Sequence, residues 1–159
     1  MLIYILSRSS ELYSTKRIYK SGTKSRHNVR VINYLECDII VENGDYKIIY
    51  EHEELLKPDF VIPRIGASVT SYGCAVVRHF EVMGVPVLNS SAGIYESRDK
   101  FRCLQQLSYE GIQVPITYHS YDLYYAERIV RTKLGYPFIF KVLEGTHGEG
   151  VHLVNNEEE

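Results

Sequence analysis

Apolar runs of strand length alternate with helical-period segments over residues 1–89. The chain opens on LIYIL, Leu2–Leu6, short and apolar enough for a buried strand. The next stretch, SSELYSTKRIYKSG, predicts a helix with Ser10 as N-cap and a basic face built from Lys16, Arg17 and Lys20. NVRVINY sets Val29, Val31 and Asn33 against Arg30 and Ile32, the alternation of a second strand. In DIIVENGDYKIIYE two β-rich runs flank Asn43-Gly44, a pair suited to a tight hairpin turn. PDFVIPRIG predicts another buried strand ended by Pro63, SVTSYGCAVVRHFEVMG a helix closing at Gly84, and VPVLN a strand after it. Strands alternating with helices in this way predict an α/β fold with an open, largely parallel sheet, into which the hairpin is inserted.

The pattern changes around SSAGIYESRD, which places a domain boundary in residues 90–97. Beyond it, SRDKFRCLQQLSYEG carries Phe101, Leu104 and Leu107 at helical spacing, with Gly111 closing the helix. VPITYHS predicts a strand, and YDLYYAERIVRTKLG a helix with Leu123, Ala126, Ile129, Val130 and Leu134 on one side. FIFKVL and VHLV predict a strand pair, and the closing NNEEE an Asn-capped helix with acids in its first turn.

Composition narrows the class. The chain is 45% hydrophobic and 24% charged, the balance of a globular domain rather than a disordered one. A net charge of -2 supplies no global field for nucleic acid or anionic lipid, so neither is expected as a partner. Cys37, Cys74 and Cys103 are scattered and odd in number, which suits free thiols in a reducing compartment. MLIYILSRSS lacks the basic region and long apolar core of a secretory signal, and no run approaches the roughly 20 apolar residues that span a bilayer. A cytoplasmic protein without a membrane partner is the expectation.

The chemistry concentrates in KVLEGTHGEGV. Gly145 and Gly150 have the spacing of a Walker A loop, but Val151-His152 follow where Lys-Ser/Thr belongs. The glycine order is also not that of a dinucleotide-binding turn, and a strand rather than a helix follows the loop. A glycine-rich hairpin between strands can instead fold over phosphates as a flap of unobstructed backbone N–H groups. Lys141 stands inside the strand before it with Ile139 and Leu143 on its own face, a placement that burial makes costly unless an anion compensates it. Lys100 stands in the first turn of a helix, where the macrodipole disfavours a cation. By pattern alone two readings stand: a two-lysine grip on a nucleotide, or solvated surface lysines beside an ordinary glycine-rich turn.

The stretches ILSRSSELYSTKRI, FVIPRIG, SRDKFRCLQQLSYEGIQVP and FIFKVLEGTHGEGV, in this order and over nearly the whole chain, resemble the RimK-like branch of the ATP-grasp ligases. The resemblance implies that residues 1–89 are a pre-ATP-grasp α/β domain. Residues 97–159 would begin the nucleotide-binding subdomain, an incomplete α+β ATP-grasp N-terminal subdomain. It further implies that Lys100 and Lys141 bind ATP, and that Gly145, Thr146, Gly148 and Gly150 form the mobile loop closing on the β- and γ-phosphates. His147 stands mid-loop where close relatives carry glutamine. Members of the family use ATP and Mg²⁺ to activate a carboxylate as an acyl phosphate and then join it to an amine. The enzyme that gives the branch its name adds glutamate to the C-terminus of a small-subunit ribosomal protein; relatives act on cofactors or carrier proteins. ATP, glutamate and an acidic protein or small-molecule acceptor are therefore the implied partners.

The family's Mg²⁺ ligands, adenine hinge and acceptor-side arginines belong to a C-terminal region this sequence lacks, and NNEEE is no substitute for a metal site. The expectation is the N-terminal part of a carboxylate–amine ligase, inactive as this chain alone. The alternative is a non-catalytic or split module that binds nucleotide or a partner, completed by a second chain or by self-association.

Other residues carry less. Arg64 follows a sheet strand at the end where open α/β sheets bind ligands, and with Arg8 it is a candidate substrate contact; Lys16 and Arg17 are candidates to help hold an acidic acceptor. Cys74 and His79 read as a core cysteine and an amphipathic histidine of one helix rather than a nucleophilic pair. His147 and His152 have no ligand partners at zinc spacing. A nicotinamide-dependent oxidoreductase is disfavoured because SRSSE, after the first strand, has no glycines to approach a pyrophosphate.

Overall fold

The first strand sits at the centre of a parallel sheet because a strand pairs with each of its two edges. In a computed structural model describing residues 1–122, 124, 126–141 and 150–158, β1 (Leu2–Leu6) pairs in parallel with β2 (Asn28–Ile32) on one side and β6 (Phe60–Pro63) on the other. Tyr4, Ile5 and Leu6 are wholly buried, as expected of a central parallel strand. α1 (Tyr13–Lys24) covers one face, with Gly22 against the Val29 side chain. On the other face Tyr4, Leu6, Ile32 and Val61 join Val76, Val77 and Phe80 of α2 (Thr70–Val82) in the main core, and Arg30 lies over the Tyr4 ring. Ile32 is therefore as deeply buried as Val29, which a simple inside–outside alternation for β2 does not anticipate.

The hairpin forms as its turn residues dictate. β3 (Cys37–Glu42) and β4 (Asp45–Tyr50) pair in register from Cys37↔Tyr50 to Glu42↔Asp45, and β5 (Glu53–Glu54) extends them. Asn43 and Gly44 take φ of 51° and 88°, the left-handed pair that a two-residue turn needs. Ile48 and Cys37 point into the same core as α2. Burial, with Asp38 and Glu36 adding negative charge, pushes the Cys37 thiol up to about 12, so it is an inert core group.

Three local expectations change. Ser10 is not the N-cap of α1: Leu12 holds that position without a side-chain bond, and Ser10 Oγ donates to Glu11. The serines fold the preceding turn instead, Ser7 Oγ donating to the Ser9 carbonyl and Glu11 N–H to Ser9 Oγ. VPVLN makes only a single parallel bridge, Val61↔Val87, because Pro86 has no N–H to continue a ladder. VPITYHS is irregular: Pro115 again lacks a donor, its carbonyl accepts from Thr117 Oγ1, and Ile116 is 78% exposed.

His79 also departs from expectation. It is 4% exposed rather than amphipathic, because α2 is flanked by the sheet on one side and the hairpin on the other. Its ring meets Tyr46 of β4 edge-on at 5.5 Å, and among the described residues its Nε2 has no hydrogen-bond partner. Burial lowers the His79 pKa, against a smaller opposing effect of the Lys47 and Ile40 backbone. The unfolded chain thus takes up a proton near the ordinary histidine value while the folded chain resists until lower pH. Stability is expected to be full above about pH 6.5 and to fall as the pH drops below it. Urea midpoints measured from pH 7.5 to 5 should show this slope, and His79→Leu should flatten it.

The contacts divide the chain into two compact units, Met1–Tyr95 and Glu96–Glu159, with α3 (Ser91–Arg98) running across the division. Glu81 caps the start of α3, accepting from both Ser91 N–H (2.8 Å) and Ser91 Oγ (2.6 Å). Burial would raise the Glu81 pKa, but the bonds from Ser91 and Arg78 outweigh it and hold the carboxyl below its usual value. In the second unit α4 (Lys100–Tyr109) leads through an irregular segment to α5 (Ala126–Ile129), which passes into a π-helical turn at Val130–Leu134. β7 (Phe138–Lys141) and β8 (Val151–Val154) pair antiparallel. NNEEE makes a turn rather than a helix over its described residues, with Asn156 Oδ1 accepting from Glu158 N–H. Among the described residues no helix is long and apolar enough to cross a membrane.

Candidate functional site

Asp99 positions Lys100. Its side chain accepts from the N–H groups of Phe101 (2.8 Å) and Arg102 (3.0 Å), so α4 begins with Lys100 in its first turn. The backbone bond from Arg102, with that from Phe101 beside it, holds the Asp99 carboxyl below its ordinary value against the opposing effect of desolvation. Asp99→Ala is expected to fray the first turn of α4, read as lost helical ellipticity and faster amide exchange in residues 100–103. The capping aspartate sits one residue before the lysine, a signal present in SRDKF that the sequence reading passed over.

Lys141 ends β7 and pairs directly with Val151, the first residue of β8. Gly150, just before it, takes φ of 69°, the left-handed conformation that glycine adopts without strain. Residues Gly145, Thr146, His147 and Gly148 lie outside the described residues. Lys141 is exposed, so burial alone does not require an anion beside it, contrary to the argument from alternation. What the pairing does build is one face carrying Ile139, Lys141, Val151 and Leu153, with Ile139 56% and Leu153 60% exposed. An apolar platform ending in a cation beside a glycine suits a flat heterocycle carrying phosphates.

β7 and β8 also border an open cleft of about 710 Å³ lined by Lys141, His152, Phe140, Tyr136, Val130 and His119 among others. Lys141 and Gly150 are thus brought together at one end of the strand pair, whereas Lys100 is not among the residues lining the cleft. Among the described residues no group of three His, Cys, Asp or Glu side chains is placed to hold a metal ion. The described residues therefore offer a cation and a glycine at the end of the strand pair but no ligand set for Mg²⁺.

In the first unit Arg8 and Arg64 lie at the carboxyl ends of β1 and β6, neighbouring strands whose ladder continues through Arg64 N–H to the Leu6 carbonyl. Arg64 Nη2 donates to Ser14 Oγ of α1 at 3.2 Å. Lys16 is engaged with Glu11, while Arg17 is exposed. Cys74 and His79 are both buried in α2.

The fold matches a RimK-domain ATP-grasp protein from Sphaerobacter thermophilus (TM-score 0.68, 17% identity, 99% of this chain and 56% of that one). It also matches the ATP-grasp ligase PsnB in complex with a minimal precursor (TM-score 0.71, 15% identity, 97% of this chain and 56% of that one). Residues 1–94 match the RimK pre-ATP-grasp domain and residues 97–159 the RimK-like ATP-grasp domain. The chain belongs to the RimK family of ATP-grasp proteins. It is 47% identical over 153 residues to a probable alpha-L-glutamate ligase of Maridesulfovibrio salexigens, covering 96% of this chain and 51% of that protein. It is 46% identical over 157 residues to one of Cellvibrio japonicus, covering 99% of this chain and 52% of that protein. The chain therefore spans about half the length of the curated relatives it matches.

Proposed function

We propose that the chain is the N-terminal part of an ATP- and Mg²⁺-dependent carboxylate–amine ligase, with glutamate as the amine. The observation that carries this reading is Lys141, exposed at the end of β7 and paired across to Val151 beside Gly150, in a chain whose two segments match the two RimK domains in order. In the proposed reaction the acceptor carboxylate attacks the γ-phosphorus of ATP, forming an acyl phosphate and releasing ADP. The amine of glutamate then attacks the acyl carbon, and inorganic phosphate leaves as the amide forms. Both the attacking carboxylate and the triphosphate are anionic, so their approach needs fixed positive charge. Lys141 and Lys100 are assigned to the phosphates, and the loop holding Gly145, Thr146, His147, Gly148 and Gly150 to their closure, which keeps water from the acyl phosphate.

The relatives' remaining half is assigned the metal ligands, so the 159-residue chain alone is expected to be inactive. Purified chain with ATP, Mg²⁺, glutamate and an acceptor peptide bearing a free carboxylate should release ADP at the background rate. Adding the C-terminal half of the Cellvibrio japonicus relative should raise that rate; steady turnover by the chain alone contradicts the assignment. Nucleotide binding that never yields ADP under either condition would favour the non-catalytic module instead.

A further inference from the structure

The net charge of -2 hides a separation of charge within the first unit. Residues 13–30 hold six Lys or Arg and no Asp or Glu, whereas residues 36–54 hold seven Asp or Glu and one lysine, Lys47. The fold sets these two blocks on opposite sides of the parallel sheet. α1 lies on one face, with Thr15 buried and Gly22 against Val29. The β3–β4–β5 hairpin lies with α2 on the other, where Cys37 and Ile48 enter the core.

On α1 the helical period turns Thr15, Ile18 and Gly22 to the sheet and leaves Tyr13, Arg17, Lys20 and Lys24 as a stripe on the opposite face. Tyr13 is 77% exposed, and the three cations are exposed too. Among the described residues none of the three has a carboxylate within ion-pair distance, whereas Lys16, beside the stripe, is held by Glu11. On the hairpin, Ile39 and Ile48 face the core, so the register turns Asp38, Ile40 and Glu42 outward with Asp45, Lys47 and Ile49. Glu54 stands opposite Ile49 on the same outer face. That face therefore has isoleucines at its centre and acids around them, with Ile40 40% exposed. Its field is negative: the bond to Asp45 and the charges of Asp45, Glu54 and Glu42 raise the pKa of Lys47.

We propose that the outer face of α1 docks on the outer face of the hairpin of a second copy, setting Arg17, Lys20 and Lys24 against Asp38, Glu42 and Glu54. Like charges crowded on each face repel one another, and each face offers what the other needs. Their lengths agree as well: the α1 stripe runs about 16 Å, close to the roughly 17–20 Å of a six-residue strand. The two faces differ and lie on opposite sides of the sheet, so the contact is heterologous, and a copy bound through one face still presents the other. The surface lies wholly within Met1–Tyr95 and is independent of the ligase reading.

The test is sedimentation of the 159-residue chain at two salt concentrations. At about 20 mM salt the average mass should rise with protein concentration, and at about 500 mM it should fall to that of the monomer. Lys20→Glu with Lys24→Glu, or Asp38→Lys with Glu54→Lys, should each raise the dissociation constant more than about 10-fold at low salt. Circular dichroism should match the parent in both variants, because all four side chains are exposed. Mixing the two variants should restore association, since each then offers a face of the sign that the other lacks. A chain that stays monomeric at low salt up to about 1 mM overturns the proposal. Association that persists at high salt, or that neither variant weakens, overturns it too, as does a mixture that remains monomeric. Low-salt binding of a single-stranded RNA that is lost in the lysine variant, by a chain that stays monomeric, would give the α1 stripe to nucleic acid and overturn self-docking.

Discussion

Phe80→Ala is expected to destabilise the first unit by about 3–5 kcal/mol, enough to unfold much of it at room temperature. Phe80 is 1% exposed and meets Tyr4 edge-on with ring centroids 6.3 Å apart, where α2 packs on the sheet. Removing the ring deletes buried apolar area and leaves a cavity between two elements that cannot close it. Tyr4 is fixed at its far end by a hydrogen bond from its hydroxyl to the Leu56 carbonyl, and α2 is held by Tyr72 Oη bonding to the Cys37 carbonyl. Urea denaturation followed by circular dichroism should show the midpoint collapse. Phe80→Leu, which keeps most of the volume, should recover more than half of the loss. A Phe80→Ala midpoint within 1 kcal/mol of the parent would mean that this packing is not what holds α2.

Lys141→Ala is expected to reduce ADP formation in the completed ligase roughly 100- to 1000-fold while leaving the fold intact. The side chain is exposed at a strand end, so its loss removes no packing. On the proposed ligase reading, the substitution removes a fixed positive charge beside the phosphates, an effect that water cannot reproduce because it must reorganise during the reaction. Lys141→Arg keeps the charge but exchanges a compact ammonium for a broad planar fork, and should recover only part of the rate. Equal ADP formation by Lys141→Ala and the parent would return this lysine to the solvated-edge reading.

Much of the chain's local structure was legible before its tertiary structure. LIYIL became β1 over the same residues, Asn43-Gly44 made the hairpin turn, and the helix of SVTSYGCAVVRHFEVMG ended before Gly84, whose φ is 74°. These succeed because the determinants are local: an apolar run, a pair of residues tolerant of positive φ, a glycine after the last helical turn. The failures have physical causes as well. VPVLN and VPITYHS have the composition of strands, but each contains a proline where a ladder needs a donor. Ser10 has a capping side chain, but Ser7 and Ser9 had already bent the chain, and the helix begins later.

The candidate sites divide along the same line. The lysines and the glycine loop are separate signals in sequence, and their order alone aligned them with a family. Pattern could not tell whether Lys141 was buried; the two-stranded β7–β8 pair leaves it exposed. Nor does sequence place Arg8 beside Gly66 or Arg64 on Ser14, which are 58 and 50 positions apart in the chain. Most of the elements, and the family, were readable from sequence because short-range sterics and periodicity act within a few residues. Tertiary structure decided which charges stand uncompensated and which histidine is buried, because desolvation and ion pairing depend on neighbours that only folding brings together.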